Sequence, residues 1–341
     1  MKKSLYCGID LHSSNAMYVI KDSQGKILYE KRLPNKPPII LEALNPYKSR
    51  LKTVAVESTY NWYWLVDGLM AQGFPMQLAN PAAIDQYDGI KEANDLTDAA
   101  FIAELARLNI LPTGYIYPQQ ERPKRDMLRR RMLLVQQRTS LILSLQNMFV
   151  REVNIKLTWR KIRKLSTNQR NKVLKENIYL MQIAQEQIDL IEQLSDKIQQ
   201  FEETILSTTK LKPQFELVLS APGIGNILGT TIMLETGEIS RFEKVGNYTS
   251  YCRCVRAKKI SNGKNKGKNN SKNGNRYLSW AFVEVAHHAI QACPQAKKFY
   301  DRKKSKRNGA LATKALAAKW CKGVYYVLKK QEPFDLKRIF T

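Results

Sequence analysis

Residues 4–33 hold three short segments, SLYCGIDLH, AMYVIKD and ILYEKRL, separated only by the turn formers Ser13-Ser14-Asn15 and Ser23-Gln24-Gly25. Each is rich in β-branched or aromatic residues, and connections this short join antiparallel neighbours, so the chain opens as a three-stranded meander. PPIILEALNPY, with proline at its start, reads as a helix, and KTVAVES as a fourth strand. A helix in NWYWLVDGLMAQG closes at Gly73, FPMQLAN is a fifth strand, and DLTDAAFIAELARL is a helix with Asp95 near its N-terminus. The order β-β-β-α-β-α-β-α predicts an α/β domain over residues 1–115.

Acids break the apolar pattern of this domain at four places. Asp10 interrupts the first strand, Glu57 ends the fourth, and Asp95 and Asp98 lie three apart at a helix start, on one face. In this element order those positions converge at one edge of the sheet, where RNase H-like (RuvC-like) nucleases hold two divalent ions. A carboxylate buried without a partner is costly. Mg²⁺ (or Mn²⁺) resolves that cost, because it takes oxygen ligands and leaves positions for phosphate oxygens. A metal pair then stabilises the attacking and leaving oxygens of an in-line displacement at phosphorus.

Residues 116–210 read as helical. RPKRDMLRRRMLLVQQRTSLILSLQNMFVRE has apolar positions at helical spacing and a basic first half containing Arg122, Lys124, Arg125, Arg129, Arg130 and Arg131. Further on, Ala184, Ile188, Ile191, Leu194, Ile198, Phe201 and Ile205 repeat with the period of a coiled coil. About four heptads suit a dimerisation arm, and the alternative is two helices folding back on each other within one chain.

Charge separates the front from the back. Residues 1–110 are neutral overall, whereas residues 241–341 carry 25 basic against 5 acidic residues, most of the chain's net +26. A charge of +20 over about a hundred residues exceeds the roughly 2–8 that solubility asks of a small domain. The back is therefore expected to meet a polyanion, with nucleic acid first. There is no run of 18 apolar residues, and MKKSLYCGID lacks a signal-peptide pattern, so a cytoplasmic chain without membrane contact is expected. The five cysteines form no CxxC pair, which argues against a zinc site or disulfide framework.

The back third, residues 211–341, opens with LSAPGIGNILGTTIMLETG, a helical hairpin around Gly223-Ile224-Gly225 that offers either backbone N–H groups for a phosphate or a plain helix connection. SNGKNKGKNNSKNGNRYLSW follows, too rich in Gly, Asn, Lys and Ser to bury a core. It contains Ser261, Lys264, Lys266, Lys268, Ser271, Lys272 and Arg276. Helices with a basic loop at 302–307 complete the chain.

GIDLH, AVEST and NDLTDAAFIAEL together resemble the DEDD tetrad of the insertion-sequence 110 family of transposases, which also contains the Piv/MooV invertases. APGIGNILGTTIMLETGEISRFEKVGNYTSYC and SKNGNRYLSWAF are similar to that family's second domain, so the resemblance spans nearly the whole chain in order. It implies a DNA recombinase in which Asp10, Glu57, Asp95 and Asp98 bind metal and Ser261 is the nucleophile. The basic helix and the basic loop would bind nucleic acid. It further implies a structured guide RNA encoded by the element, DNA ends and target as substrates, and a homo-oligomer, dimer or tetramer. By chemistry alone Ser261 and Ser271 are equally placed, each a hydroxyl among lysines on a Gly-containing loop. The competing reading is a RuvC-like Holliday-junction resolvase, which uses the same acids with water. An actin-like ATPase, which also opens with a GID strand, would need glycine-rich phosphate motifs that are not visible.

Overall fold

The first three segments form the expected meander: β1 (Leu5–Leu11), β2 (Asn15–Asp22) and β3 (Ile27–Pro34) pair antiparallel in sequence. In the computed structural model α1 (Pro37–Leu44) leads to β4 (Leu51–Glu57), which pairs parallel with β1. Then come α2 (Tyr63–Ala71), β5 (Met76–Ala79), α3 (Asp95–Arg107) and the two-residue β6 (Thr113–Gly114), giving the strand order β3-β2-β1-β4-β5-β6. The structure describes residues 4–84, 94–209, 213–255, 260–265 and 273–340, in two compact units, 1–119 and 120–341.

Alternation along β1 divides the first unit into two layers. Leu5, Cys7, Ile9 and Leu11 enter a core with Ile40 and Leu44 of α1 and Leu65, Val66 and Leu69 of α2. The opposite face takes α3, whose Ala99 packs on Met17 and Val19 and whose Ile102 and Ala106 pack on Ala55. Gly8 is the seat of that helix. A β-carbon there would lie 2.0 Å from the Ala99 carbonyl oxygen and 2.5 Å from the Ala103 nitrogen, both backbone atoms. Gly8→Ala is therefore expected to push α3 off the sheet and destabilise this unit by about 1–3 kcal/mol, the usual cost of overpacking. Urea titration checks it, and a wild-type midpoint would refute the close seat.

The second unit begins with α4 (Arg122–Val153), turns through α5 (Trp159–Lys164) and α6 (Thr167–Val173), and returns along α7 (Ile178–Thr209). Ala184, Ile188 and Ile191 pack on Leu145, Met148 and Phe149, whereas Ile205 packs on Leu128, so the helices run antiparallel. Of the two arrangements open from the sequence, the chain folds these helices back on each other. The heptad seam of α7 is buried within one chain, because a heptad repeat fixes the packing face and not the partner.

The remaining helices are α8 (Pro213–Leu219), α9 (Asn226–Thr236), α10 (Val245–Tyr251), α11 (Arg276–Ala292), α12 (Pro294–Lys306), α13 (Gly309–Lys330) and α14 (Leu336–Phe340). They enclose one core around the fully buried Trp320, whose indole N–H donates to the Pro222 carbonyl at 2.8 Å. Gly223 (φ +88°) lies so close to α11 that a β-carbon would sit 2.6 Å from the Ala289 nitrogen. The α8–α9 turn thus packs on α11 as a helix connection. Between α10 and α11, β7 (Ile260–Ser261) and β8 (Lys264–Asn265) make a small hairpin. Asn262 and Gly263 at its tip have φ of 48° and 70°, the left-handed pair that two-residue hairpin turns require.

Candidate functional site

Asp10 stands near the C-terminal end of β1, on the face that takes α3, and is only 7% exposed. Ile9 pairs with Val56, which sets Asp10 beside Glu57 at the end of β4. The start of α3 is fixed by a reciprocal cap in which Thr97 N–H donates to Asn94 Oδ1 and Asn94 N–H to Thr97 Oγ1, both at 2.9 Å. That cap places Asp95 and Asp98 in the first helical turn, and Gly8 lets the turn approach β1. Asp10 is thereby within electrostatic reach of the other three acids, and Glu57 of Asp98.

Burial pushes the Asp10 carboxyl above the usual aspartate range; His12 opposes this, and Asp95 and Asp98 reinforce it. Glu57 is pushed up by burial and then by Asp10 and Asp98. Asp95 moves the other way, held low by its hydrogen bond from Arg32 and by His12. Two of these partners were not among the residues singled out from sequence. Arg32 on β3 pairs with Asp95 and donates to Asn15 Oδ1 at 2.8 Å. The Nε2 of His12 lies 3.1 Å from Asp10 Oδ2 and 3.2 Å from Asp95 Oδ2. The signal for His12 was its spacing, two residues past Asp10 at a strand end and hence on the same side.

Asp10, His12 and Asp95 each offer a ligand atom, all within 4.8 Å of one another. Adjacent donors of an octahedral ion with bonds of 2.0–2.1 Å are about 3 Å apart, close to both His12 separations. The Nε2 atom is buried between the two carboxylates, at a distance from which it can donate to either or share an ion with both. The donor set fits a divalent cation.

The basic candidates fare unevenly. Arg129 donates to Glu235 Oε1 and Oε2 at 2.6 and 2.8 Å and stacks on Tyr277, and the Glu235 side chain is 1% exposed. Arg131 donates twice to Glu202 Oε1, at 2.8 and 2.6 Å, and Arg122 is buried. These three arginines have partners or burial within the chain, where a buried glutamate and a helix–helix seam hold the charge of Arg129 and Arg131. Arg125 is half-buried with partners inside the chain. Lys124 reaches Glu121 at 3.6 Å, while Arg130, Lys264 and Arg276 are exposed. Lys266, Lys268, Ser271 and Lys272 lie outside the described residues.

Ser261 is the last residue of β7, immediately before the Asn262-Gly263 turn. The excursion that carries it is closed at its base: Asn275 N–H donates to the Tyr251 carbonyl at 2.6 Å, and Arg253 donates to the Gly274 carbonyl at 3.0 and 2.8 Å. Asn275 Nδ2 also donates to Glu235 at 2.7 Å, so the glutamate that holds Arg129 holds the foot of the loop as well.

No curated protein matches the chain. A family model described as "Transposase", of the DEDD IS110 type, matches residues 7–153, from the strand that bears Asp10 to the end of α4. A second, described as "Transposase IS116/IS110/IS902 family", matches residues 215–301, from α8 into α12. The two cover about two thirds of the chain in the order the fold presents them, and no helix among the described residues is long and apolar enough to cross a membrane. The chain belongs to the IS110 family of transposases and is an enzyme that recombines DNA.

Proposed function

We propose that the first unit is an RNase H-like catalytic domain in which Asp10, Glu57, Asp95 and Asp98, joined by His12, hold Mg²⁺ or Mn²⁺, and that Ser261 is the nucleophile. The observation that carries this reading is the convergence of buried and half-buried acids and the His12 imidazole at the ends of β1 and β4 and the start of α3. The strand order, an antiparallel meander continued by two parallel strands, supports the fold assignment. When bound, the metal supplies positive charge to the phosphoryl oxygens and the departing oxygen. The chain's own part is to hold that charge at one edge of the sheet. Arg32 fixes the Asp95 carboxylate, and the Asn94–Thr97 cap fixes the helix end that carries it.

Attack by the Ser261 hydroxyl forms an oxygen–phosphorus bond as the phosphodiester's own bond breaks. The strand stays attached to the protein, and rejoining needs no ATP. A structured RNA encoded by the element guides the enzyme to donor and target DNA, and several protomers assemble on the two duplexes. The charge of the back third suits that load, since phosphate neutralisation gives affinity without sequence preference.

Two measurements test the site. In Mn²⁺ the wild type should show nitrogen coupling in pulsed electron paramagnetic resonance and a raised melting temperature; His12→Ala should lose the coupling, and a wild type without it would remove His12 from the site. Peptide mapping of a trapped protein–DNA adduct should find the nucleotide on Ser261, with no adduct from Ser261→Ala. A nucleotide on Ser271 would transfer the role.

A further inference from the structure

A groove of about 700 Å³ lies between α12, α13 and the segment that ends in α14. Lys303, Lys319, Lys322, Tyr326 and Lys330 line it, with Phe299 at its floor. Residues 294–330 hold twelve lysines and arginines against a single acid, Asp301. Among the described residues none of the four lining lysines makes an ion pair, and the rim carboxylates Glu332 and Asp335 are paired with Arg338 at 3.6 and 3.3 Å. The Phe299 ring faces Lys319 at 5.3 Å, Arg302 at 5.6 Å and Lys303 at 5.7 Å. Burial lowers the Lys319 ammonium below the usual lysine range, and the cations Lys322, Arg302 and Lys303 lower it further. Like charges are crowded here: the two carboxylates in the lining, Glu332 and Asp335, are taken by Arg338, and Lys319 hydrogen-bonds only to the Ile339 carbonyl among the described residues.

Tyr326 gives the groove a second property. It is 47% exposed, and Lys322 and Lys330 stand one step of four residues to either side, about 6 Å of helix each. The neighbouring Tyr325 braces it edge-on at 5.3 Å and is itself anchored by its hydroxyl, which donates to the Phe242 and Glu243 carbonyls at 3.2 and 3.1 Å. An exposed ring held rigid between two cations is a surface on which one base can stack while its flanking phosphates meet the ammonium groups. A paired base in a duplex keeps its faces covered and gains nothing from the ring.

We infer that the α12–α13 groove is a binding site for single-stranded nucleic acid, with a base on Tyr326 and phosphates on Lys303, Lys319, Lys322 and Lys330. It shares no residue with the carboxylate site and does not depend on the assignment of Ser261.

The full chain is titrated with labelled oligothymidylate, oligouridylate and a mixed-sequence duplex, and crosslinked to halogenated versions of the two single strands. Tyr326→Ala is expected to weaken single-strand binding about tenfold, within the 1–3 kcal/mol of one stacked base, with duplex binding unchanged and Tyr326→Phe near wild type. The crosslink should map to the peptide holding Tyr326, and the stronger of the two single-strand probes tells whether RNA or DNA is the ligand. Equal loss for single strand and duplex in Lys322→Gln/Lys330→Gln, with Tyr326→Ala silent, would reduce the groove to a general cationic patch. Crosslinks confined to other peptides would overturn the site outright.

Discussion

Asp10→Asn is expected to abolish strand exchange, by about a thousandfold or more, while leaving nucleic-acid affinity within about twofold. If Asp10 holds the proposed metal, removing its carboxylate forfeits several kcal/mol of transition-state stabilisation, whereas one charge matters little to the binding of a chain with net charge +26. The same variant should be more stable than wild type without metal. Burial and neighbouring acids raise Asp10 and Glu57 above their unfolded values. A carboxyl raised in this way favours folding when protonated. Metal-free stability should therefore increase as pH falls from neutral towards the ordinary carboxylate range, and decrease as pH rises through the raised values. Asp10→Asn removes part of that burden permanently. Activity lost with metal-free melting temperature gained is a combination that a residue needed only for folding cannot give. A variant that is both less stable and inactive would assign Asp10 to the core.

The second large effect falls on Arg129. Its truncation to alanine leaves the fully buried Glu235 carboxyl without its cation, with Asn275 the one remaining donor among the described residues. Breaking a buried pair from one side costs about 3–5 kcal/mol, so Arg129→Ala should unfold the second unit at markedly lower urea. The exposed Arg130→Ala should stay within about 0.5 kcal/mol of wild type. Arg129→Ala/Glu235→Leu should recover much of the loss, since the stranded carboxylate is gone. Failure of that double variant to recover would mean that the pair's contacts to Tyr277 and Asn275 matter more than its charge. Neutralising Arg129, Arg130 and Arg131 together would thus report on folding first, and binding experiments on α4 belong at Arg130.

The element order of the first unit was legible because each strand and helix carries its own periodicity and its own stop. Asp10, Glu57, Asp95 and Asp98 stood out for a related reason: acids at apolar positions are conspicuous against such a pattern. What joins them was not legible. Gly8 reads as an ordinary strand glycine until α3 lies against it, and Arg32 reads as an exposed residue of a meander until Asp95 meets it. Both depend on contacts between residues far apart in sequence. The run Arg129-Arg130-Arg131 shows the opposite failure. Three identical side chains in a row promise one role, yet helical geometry turns them about 100° apart per residue, towards Glu235, solvent and Glu202 respectively. The α7 heptads likewise named a packing face correctly and left the partner open, and the partner is α4.

The closed foot of the serine-bearing excursion bears on how such a protein diversifies. The chain departs at Tyr251 and comes back at Asn275, joined there by a backbone hydrogen bond, and a side chain on Gly274 would collide with the Tyr251 carbonyl at 2.5 Å. Departure and return are therefore one place in the fold. Between them Cys252 belongs to the core and Arg253 and Gly274 to the closure, and the stretch between those anchors is a cassette whose length and composition can be rewritten while α10 and α11 keep their registration. Loop-closure entropy rises only with the logarithm of length, about 0.6 kcal/mol per doubling, so even large insertions there are cheap. A change in this stretch, Ser261 included, therefore leaves the helices beneath it in place.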